Sequence, residues 1–221
     1  VAEFVRKARE HGVLVAYGEA STFGANATYG IWQEIWRTLF RLGEGEPEAE
    51  QRATLERELA AVDPGLVARA PLLEPVLGVS IRDNELTGGL DAEVRKSSLE
   101  ALLVDCLRAR ATEEPLVLVL EDCHWIDPLS RDLLRTLARA AASLRVLVVT
   151  AYRPAEEGAV GGGLGLETLG HFSELRLAPL GPEDAEELIR AKVAQAAAKT
   201  EAGMPALVEL VTARAEGNPF Y

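Results

Sequence analysis

The sequence predicts an α/β fold, an open three-layer sheet of parallel strands with helices on both faces. Two observations carry this. Strand-like and helix-like stretches alternate along the chain, and the runs LVLVLED (116–122) and RVLVVTAY (145–152) are nearly continuous in apolar residues, as strands buried on both faces are.

The first element is a helix. Val1, Phe4, Val5 and Ala8 recur at helical spacing and Gly12 closes the pattern. VLVAYGEAS (13–21) has the β-branched content of a strand, and the glycine-rich FGANATYG (23–30) reads as a loop. A helix follows over 31–43, with Ile31, Ile35, Leu39 and Leu42 on one side. Residues 44–90 carry charged helical stretches broken by Pro47, Pro64, Pro71, Pro75, Gly78 and Gly88-Gly89, a helical insertion with loops.

From Asp91 to Arg110 a long helix is expected, its apolar face formed by Val94, Leu99, Leu102, Leu103, Cys106 and Leu107, with TEEP ending it. The strand 116–122 comes next. Asp127-Pro128 then starts a helix, because Asp accepts from free backbone N–H groups and Pro is tolerated at the first helical position. The strand 145–153 follows, then the loop GAVGGGLG, then a strand at FSELRLAPL (172–180) in which Leu175 and Leu177 alternate with polar neighbours. Helices at PEDAEELIRAKVAQAAA and MPALVELVTARAEG complete the chain.

Composition narrows the function. At 221 residues with 48% hydrophobic and 26% charged content, the chain reads as a globular protein of one or two domains. No apolar run approaches the ~20 residues that span a bilayer, and VAEFVRKAREHG is unlike a secretion signal, so no membrane partner and a cytoplasmic location are expected. Cys106 and Cys123 show no disulfide-framework spacing. A net charge of −12 repels a phosphate backbone, so direct nucleic-acid binding is not expected. The chain lacks an initiator Met, opens inside a helical pattern and stops at GNPFY, and it reads as an internal fragment.

The chemistry concentrates where the strand 116–122 ends, at Glu121 and Asp122. In open parallel sheets ligands bind beyond the carboxyl ends of strands, and Mg²⁺ takes one or two carboxylates with water and phosphate oxygens filling the rest. Three other readings compete. A zinc site from Glu121, Asp122, Cys123 and His124 lacks a second ligand pair at finger-like spacing. A glycosidase-like pair needs two carboxyl groups facing one cleft, whereas neighbours on a strand point to opposite faces. An ordinary strand end with solvated charges needs nothing further. Trp125 is expected as a packing anchor under the strand-to-helix turn, His124 as a loop residue with a local hydrogen bond, and Cys123 as a small core filler. His11 and His171 read as surface or capping histidines. GAVGGGLG lacks the strand-turn-helix context of a dinucleotide site.

LVLVLEDCHWIDP, VVTAYRP and AEGNPFY resemble, in order and spacing, the Walker B, sensor and GxP segments of signal-transducing P-loop ATPases of the STAND class. The bacterial members of that class include AAA-type ATPase modules of large regulators. The resemblance covers the chain except the stretch 44–90. It implies ATP or ADP and Mg²⁺ as ligands, Glu121 in the Mg²⁺ shell and Asp122 on the attacking water, although this sequence reverses the usual Asp-Glu order of Walker B. It further implies Arg153 as the γ-phosphate sensor, with Gly217 and Pro219 near the adenine. The implied sheet is parallel with order 5-1-4-3-2, its strand 1 missing, and the implied domains are an ATPase core over 1–180 and the start of a helical subdomain over 181–221. Other domains of a parent regulator, carrying cyclase, kinase or LuxR-type DNA-binding outputs, are the implied partners, with oligomerisation on activation. No GxxxxGK[ST] motif, the Walker A loop that cradles phosphates, occurs in the 221 residues. The resemblance places it just ahead of Val1, so the chain alone is expected to be inactive. Two readings compete with a nucleotide switch: an interaction scaffold that keeps the fold without using nucleotide, and a different α/β enzyme using the acid pair, for which no nucleophile presents itself.

Overall fold

The structure, a computed structural model, describes residues 1–21, 28–153 and 163–178, together with 180, 181, 183, 184, 187, 188, 190 and 191. The chain falls into two compact units, Val1–Phe172 and Ser173–Tyr221.

The first unit is α/β. In chain order it contains α1 (Ala2–Glu10), β1 (Leu14–Glu19), α2 (Gly30–Leu39), α3 (Glu48–Val62), a 3-10 stretch (Pro64–Leu73), α4 (Glu74–Leu77), α5 (Ala92–Glu113), β2 (Leu116–Glu121), a 3-10 turn (Cys123–Trp125), α6 (Pro128–Ala141) and β3 (Val146–Thr150). The strands form one parallel sheet in the order β1-β2-β3. Its register pairs Leu14 with Leu116 and Glu19 with Glu121 on one side, and Leu116 with Val146 and Leu120 with Thr150 on the other.

Side chains on a strand alternate between faces, and the two faces of β2 meet different company. Leu116, Leu118 and Leu120 join the large core formed with α2, α3, α5 and α6. Val117 and Val119 join Val15 in a smaller cluster packed against Val5 and Ala8 of α1. The helices are placed by their apolar stripes. α2 buries Ile31, Trp32, Ile35, Trp36 and Leu39, and α6 buries Leu133, Leu134, Leu137 and Ala138. The buried indole of Trp32 donates to the carbonyl of Ser130 at 3.1 Å, which satisfies its one polar atom and ties α2 to α6.

Within 44–90 the helical pieces lie between Glu48 and Leu77, residues 78–90 are turns and irregular chain, and the segment contributes to the main core. Leu55, Leu59, Leu72, Leu73, Val76 and Leu77 are all buried in the same cluster as Trp32 and Trp36.

Several expectations need correction. β2 is buried along its length, whereas β3 is only half-buried and Leu147 is 51% exposed. On the α1 side of the sheet Val149 packs against the small cluster, whereas Leu147 stays exposed. Residues 172–178 form no strand; Leu175 and Leu177 are 84% and 85% exposed, and a strand without a pairing partner has nothing to hold it. α5 runs through Glu113, three residues beyond the expected end, and stops at Glu114, whose extended backbone (ψ 156°) is the conformation a following proline imposes. Val94, expected on the apolar face of α5, is 43% exposed. Of the two C-terminal helices, positions 183, 184, 187, 188, 190 and 191 are helical; the second helix, at 204–217, lies outside the described residues, as do 22–27 of the first glycine-rich loop and 158–162 of the second.

Gly18 sets the distance between β1 and α2. A Cβ placed there would stand 2.0 Å from the carbonyl oxygen of Ile31 and 3.1 Å from the Ile35 side chain. Gly18→Ala must therefore push the helix off the sheet, at the roughly 1–3 kcal/mol or more that overpacking costs. Urea denaturation should show the loss, and a variant as stable as the parent chain would remove Gly18 as the spacer.

Candidate functional site

The acids stand where the apolar part of β2 ends. Five apolar residues, Leu116–Leu120, are buried, and Glu121 is the first partly exposed position. Glu121 shares its face with Val117 and Val119, the face on which α1 lies. Asp122 leaves the strand in the left-handed region, φ 53° and ψ 33°. A non-glycine residue in that conformation is held by its surroundings, and here neighbouring backbone bonds do the holding. The N–H of Ala20 donates to the Glu121 carbonyl at 3.0 Å, that of Ala151 to Leu120 at 2.9 Å, and that of Cys123 to Ala151 at 2.9 Å. Both neighbouring strands thus fix the turn that presents the two carboxylates.

The register adds a group that sequence reading missed. Glu19 lies directly across from Glu121, and the Tyr17 hydroxyl donates to Glu19 Oε2 at 3.2 Å. Burial, then the charges of Glu121, Glu19 and Asp122, push the Tyr17 phenol up to about 12. The signal available in the sequence was the matching apolar-to-acid transition in VLVAYGE and LVLVLE, which becomes informative only once the two strands are paired.

The turn after the acids departs from expectation at two positions. Trp125 is 50% exposed and so anchors no core; its ring lies against that of His124, centroids 4.9 Å apart. The Nδ1 of His124 is buried and meets no hydrogen-bond partner among the described residues, and it stands 3.8 Å from Asp122 Oδ1, beyond hydrogen-bonding range. Cys123 is a core residue as expected, 1% exposed, with its thiol donating to the Leu120 carbonyl at 3.3 Å. His11 caps α1 and contacts the Lys7 carbonyl at 2.8 Å, and His171 contacts that of Ala138 at 2.9 Å.

Asp127 serves two helices. Its Oδ1 accepts from the Ser130 N–H at 3.0 Å, capping α6, and its Oδ2 accepts from the Tyr29 N–H at 3.3 Å, at the start of α2. Tyr29 too is left-handed (φ 63°) and buried. Burial, then Glu100, Asp127 and Asp132, hold its phenol up at about 12.

No group of three or more His, Cys, Asp or Glu side chains among the described residues is arranged to hold a metal ion. That speaks against a zinc cage from Glu121, Asp122, Cys123 and His124, which would need about four protein ligands. It is compatible with Mg²⁺, which keeps several waters and takes one or two carboxylates. Arg153 is exposed, three residues past the end of β3. Gly217 and Pro219 lie outside the described residues.

A family model for the AAA ATPase domain matches residues 1–149. The chain belongs to this family. Membership agrees with the α/β fold and its parallel sheet, and it points to a nucleotide-binding module. A relative, "Uncharacterized protein R02095" of Rhizobium meliloti (strain 1021), is 36% identical over 112 residues, 51% of this chain and 10% of the relative. The AAA chain thus spans about a tenth of the length of the curated relative it matches. No solved structure matches it. No helix among the described residues is long and apolar enough to cross a membrane.

The buried hydroxyls and thiols of this AAA module make its stability fall in alkali. Burial raises Cys106 and Cys123 from 9.0 to about 12, as it does Tyr17 and Tyr29 from 10.0. The unfolded chain releases these protons first, so above pH ~9 it binds fewer than the folded chain. The stabilisation is whole below that pH and is lost progressively up to about 12. Urea midpoints measured from pH 8 upward should fall, and replacing both cysteines with Ala should flatten the first part of the decline, between ~9 and ~10; an unchanged slope in that variant would show that the thiols are not the cause.

Proposed function

We propose that the chain is the ATP-binding core of a STAND-class signal-transduction switch, which takes Mg-ATP at the carboxyl end of its sheet. The observation that supports this most directly is the placing of Glu121 and Asp122 at the end of β2, which is buried on both faces, with Asp122 held in a left-handed turn. The two carboxylates offer the hard oxygen donors that suit Mg²⁺.

In this reading Glu121 holds the Mg²⁺ shell, mostly through water, and Asp122 orients and deprotonates the attacking water. The metal ion supplies neutralisation of the charge that develops on the phosphate oxygens. Arg153, always charged, reports on the γ-phosphate, and Gly217 and Pro219 sit by the adenine. β1, β2 and β3 take places 2, 3 and 4 of a 5-1-4-3-2 sheet. Exchange of ATP for ADP is passed to the helical C-terminal region, to other domains of a longer cytoplasmic regulator, and to oligomeric contacts.

A second reading, a scaffold that uses no nucleotide, draws on one fact: the 221 residues contain no GxxxxGK[ST]. Two experiments separate the readings. In a longer protein that joins this module to a phosphate-binding loop, Asp122→Asn should lower ATP turnover by about 10² or more, the usual scale for removing a general base, while ATP binding stays measurable. Unchanged turnover would overturn the role of Asp122, and a parent protein with no nucleotide binding would favour the scaffold. The 221-residue chain alone should bind Mg-ATP weakly or not at all by calorimetry, because it carries none of the backbone cradle or lysine that holds phosphates; tight binding would contradict that account.

A further inference from the structure

The turn that carries the acids buries one polar atom without a partner. The Nδ1 of His124 is shut away from solvent and meets no hydrogen-bond partner among the described residues. Buried polar groups are ordinarily satisfied, and an exception calls for an explanation. A histidine ring nitrogen either carries a proton and donates it or stays bare and accepts, so the explanation lies in what stands opposite.

Opposite stands a carboxylate. The N–H of Trp125 donates to the Asp122 carbonyl at 2.9 Å and that of Ile126 to the Cys123 carbonyl at 3.2 Å, and this tight 3-10 turn folds residue 124 back beside residue 122. Asp122 Oδ1 is 3.8 Å from His124 Nδ1, within about an ångström of the ~3.0 Å of an N–H···O bond. The backbone here is pinned by the bonds from Ala20, Cys123 and Ala151. The imidazole is mostly buried and has the Trp125 ring against it. The Asp122 side chain is half-exposed, and a small rotation of its carboxylate is the movement left to make the bond.

We propose that His124 is a positioning residue for Asp122: its Nδ1 carries the ring proton and donates it to Asp122 Oδ1, which leaves Oδ2 to accept from the attacking water. This rests on the reading of Asp122 as the residue that orients that water. A half-exposed carboxylate turns about its last bond, whereas a general base needs its accepting oxygen within hydrogen-bond reach of the proton it takes. A mostly buried donor that holds one oxygen fixes the direction of the other. Trp125, which fills no core, serves as the flank that keeps the imidazole from swinging out.

The 221-residue chain labelled with ¹⁵N-histidine reports which ring nitrogen is protonated through long-range ¹H–¹⁵N correlations, with His124 assigned by the loss of its signals in His124→Phe. At pH ~8, above the ordinary histidine range, Nδ1 should carry the proton. Asp122→Gly, which removes the carboxylate and suits the left-handed backbone, should move that proton toward Nε2. In the longer protein with its phosphate-binding loop, His124→Phe should lower kcat for ATP about tenfold, the low end for an outer partner that orients a functional group, and leave KM unchanged. His124→Asn, whose side-chain N–H can stand where the Nδ1–H does, should recover most of that loss. A bare Nδ1, a tautomer indifferent to Asp122→Gly, or full turnover in His124→Phe where Asp122→Asn is impaired would overturn the inference. Full turnover in Asp122→Asn would overturn the reading it rests on, and the inference with it, while the tautomer still tells whether the His124–Asp122 bond exists.

Discussion

The first unit depends on one strand having no free side. β2 is hydrogen-bonded to β1 along one edge and to β3 along the other, and its five apolar residues are buried. A strand enclosed in this way has its register fixed, because a slip of one residue would exchange the leucines that face the main core for the valines that face α1. Fixing that register fixes where the apolar run stops, and hence the depth at which Glu121 and Asp122 emerge and which residue of β1 stands beside them. The acids are thus placed by leucines and valines several residues away.

The reading from sequence succeeded where one local signal decides the outcome. The run LVLVL could only be an enclosed strand, the Asp127-Pro128 pair could only begin a helix, and Gly12, at φ 73°, could only end one. It failed where a neighbour decides. RVLVV looks as apolar as LVLVL, yet β3 is only half-buried, with Leu147 exposed where Val149 is packed. Leu175 and Leu177 alternate as a strand should, but alternation describes a face and supplies no partner edge. Trp125 has the composition of an anchor, and its place on a short turn puts it outside. Within the candidate site, Glu121 and Asp122 were legible because they interrupt an apolar run, whereas Glu19 and Tyr17 were not, since only the pairing of β1 with β2 brings them alongside.

The stretch 44–90 teaches a related point. Its prolines and glycines advertise interruption, and interruption looked like something added to the core. The helical pieces between the breaks nevertheless bury Leu55, Leu59, Leu72, Leu73 and Leu77 with the two tryptophans of α2. Breaks in regular structure govern how a segment bends; its apolar residues govern what it joins. Here the bends let α4 pack against α2 while α3 packs against the 3-10 stretch and α5.

Asp127 makes one carboxylate answerable to two helices, with Oδ1 on the first turn of α6 and Oδ2 on the backbone that opens α2. A side chain shared in this way behaves as a hinge pin: its two oxygens are held a fixed distance apart by their own carboxyl carbon, so α2 cannot retreat from α6 without one of the two bonds breaking. The pin sits five residues beyond Asp122, on the same short turn. Any torque on that turn is therefore delivered to both helix starts at once, and the two helices respond as a single lever.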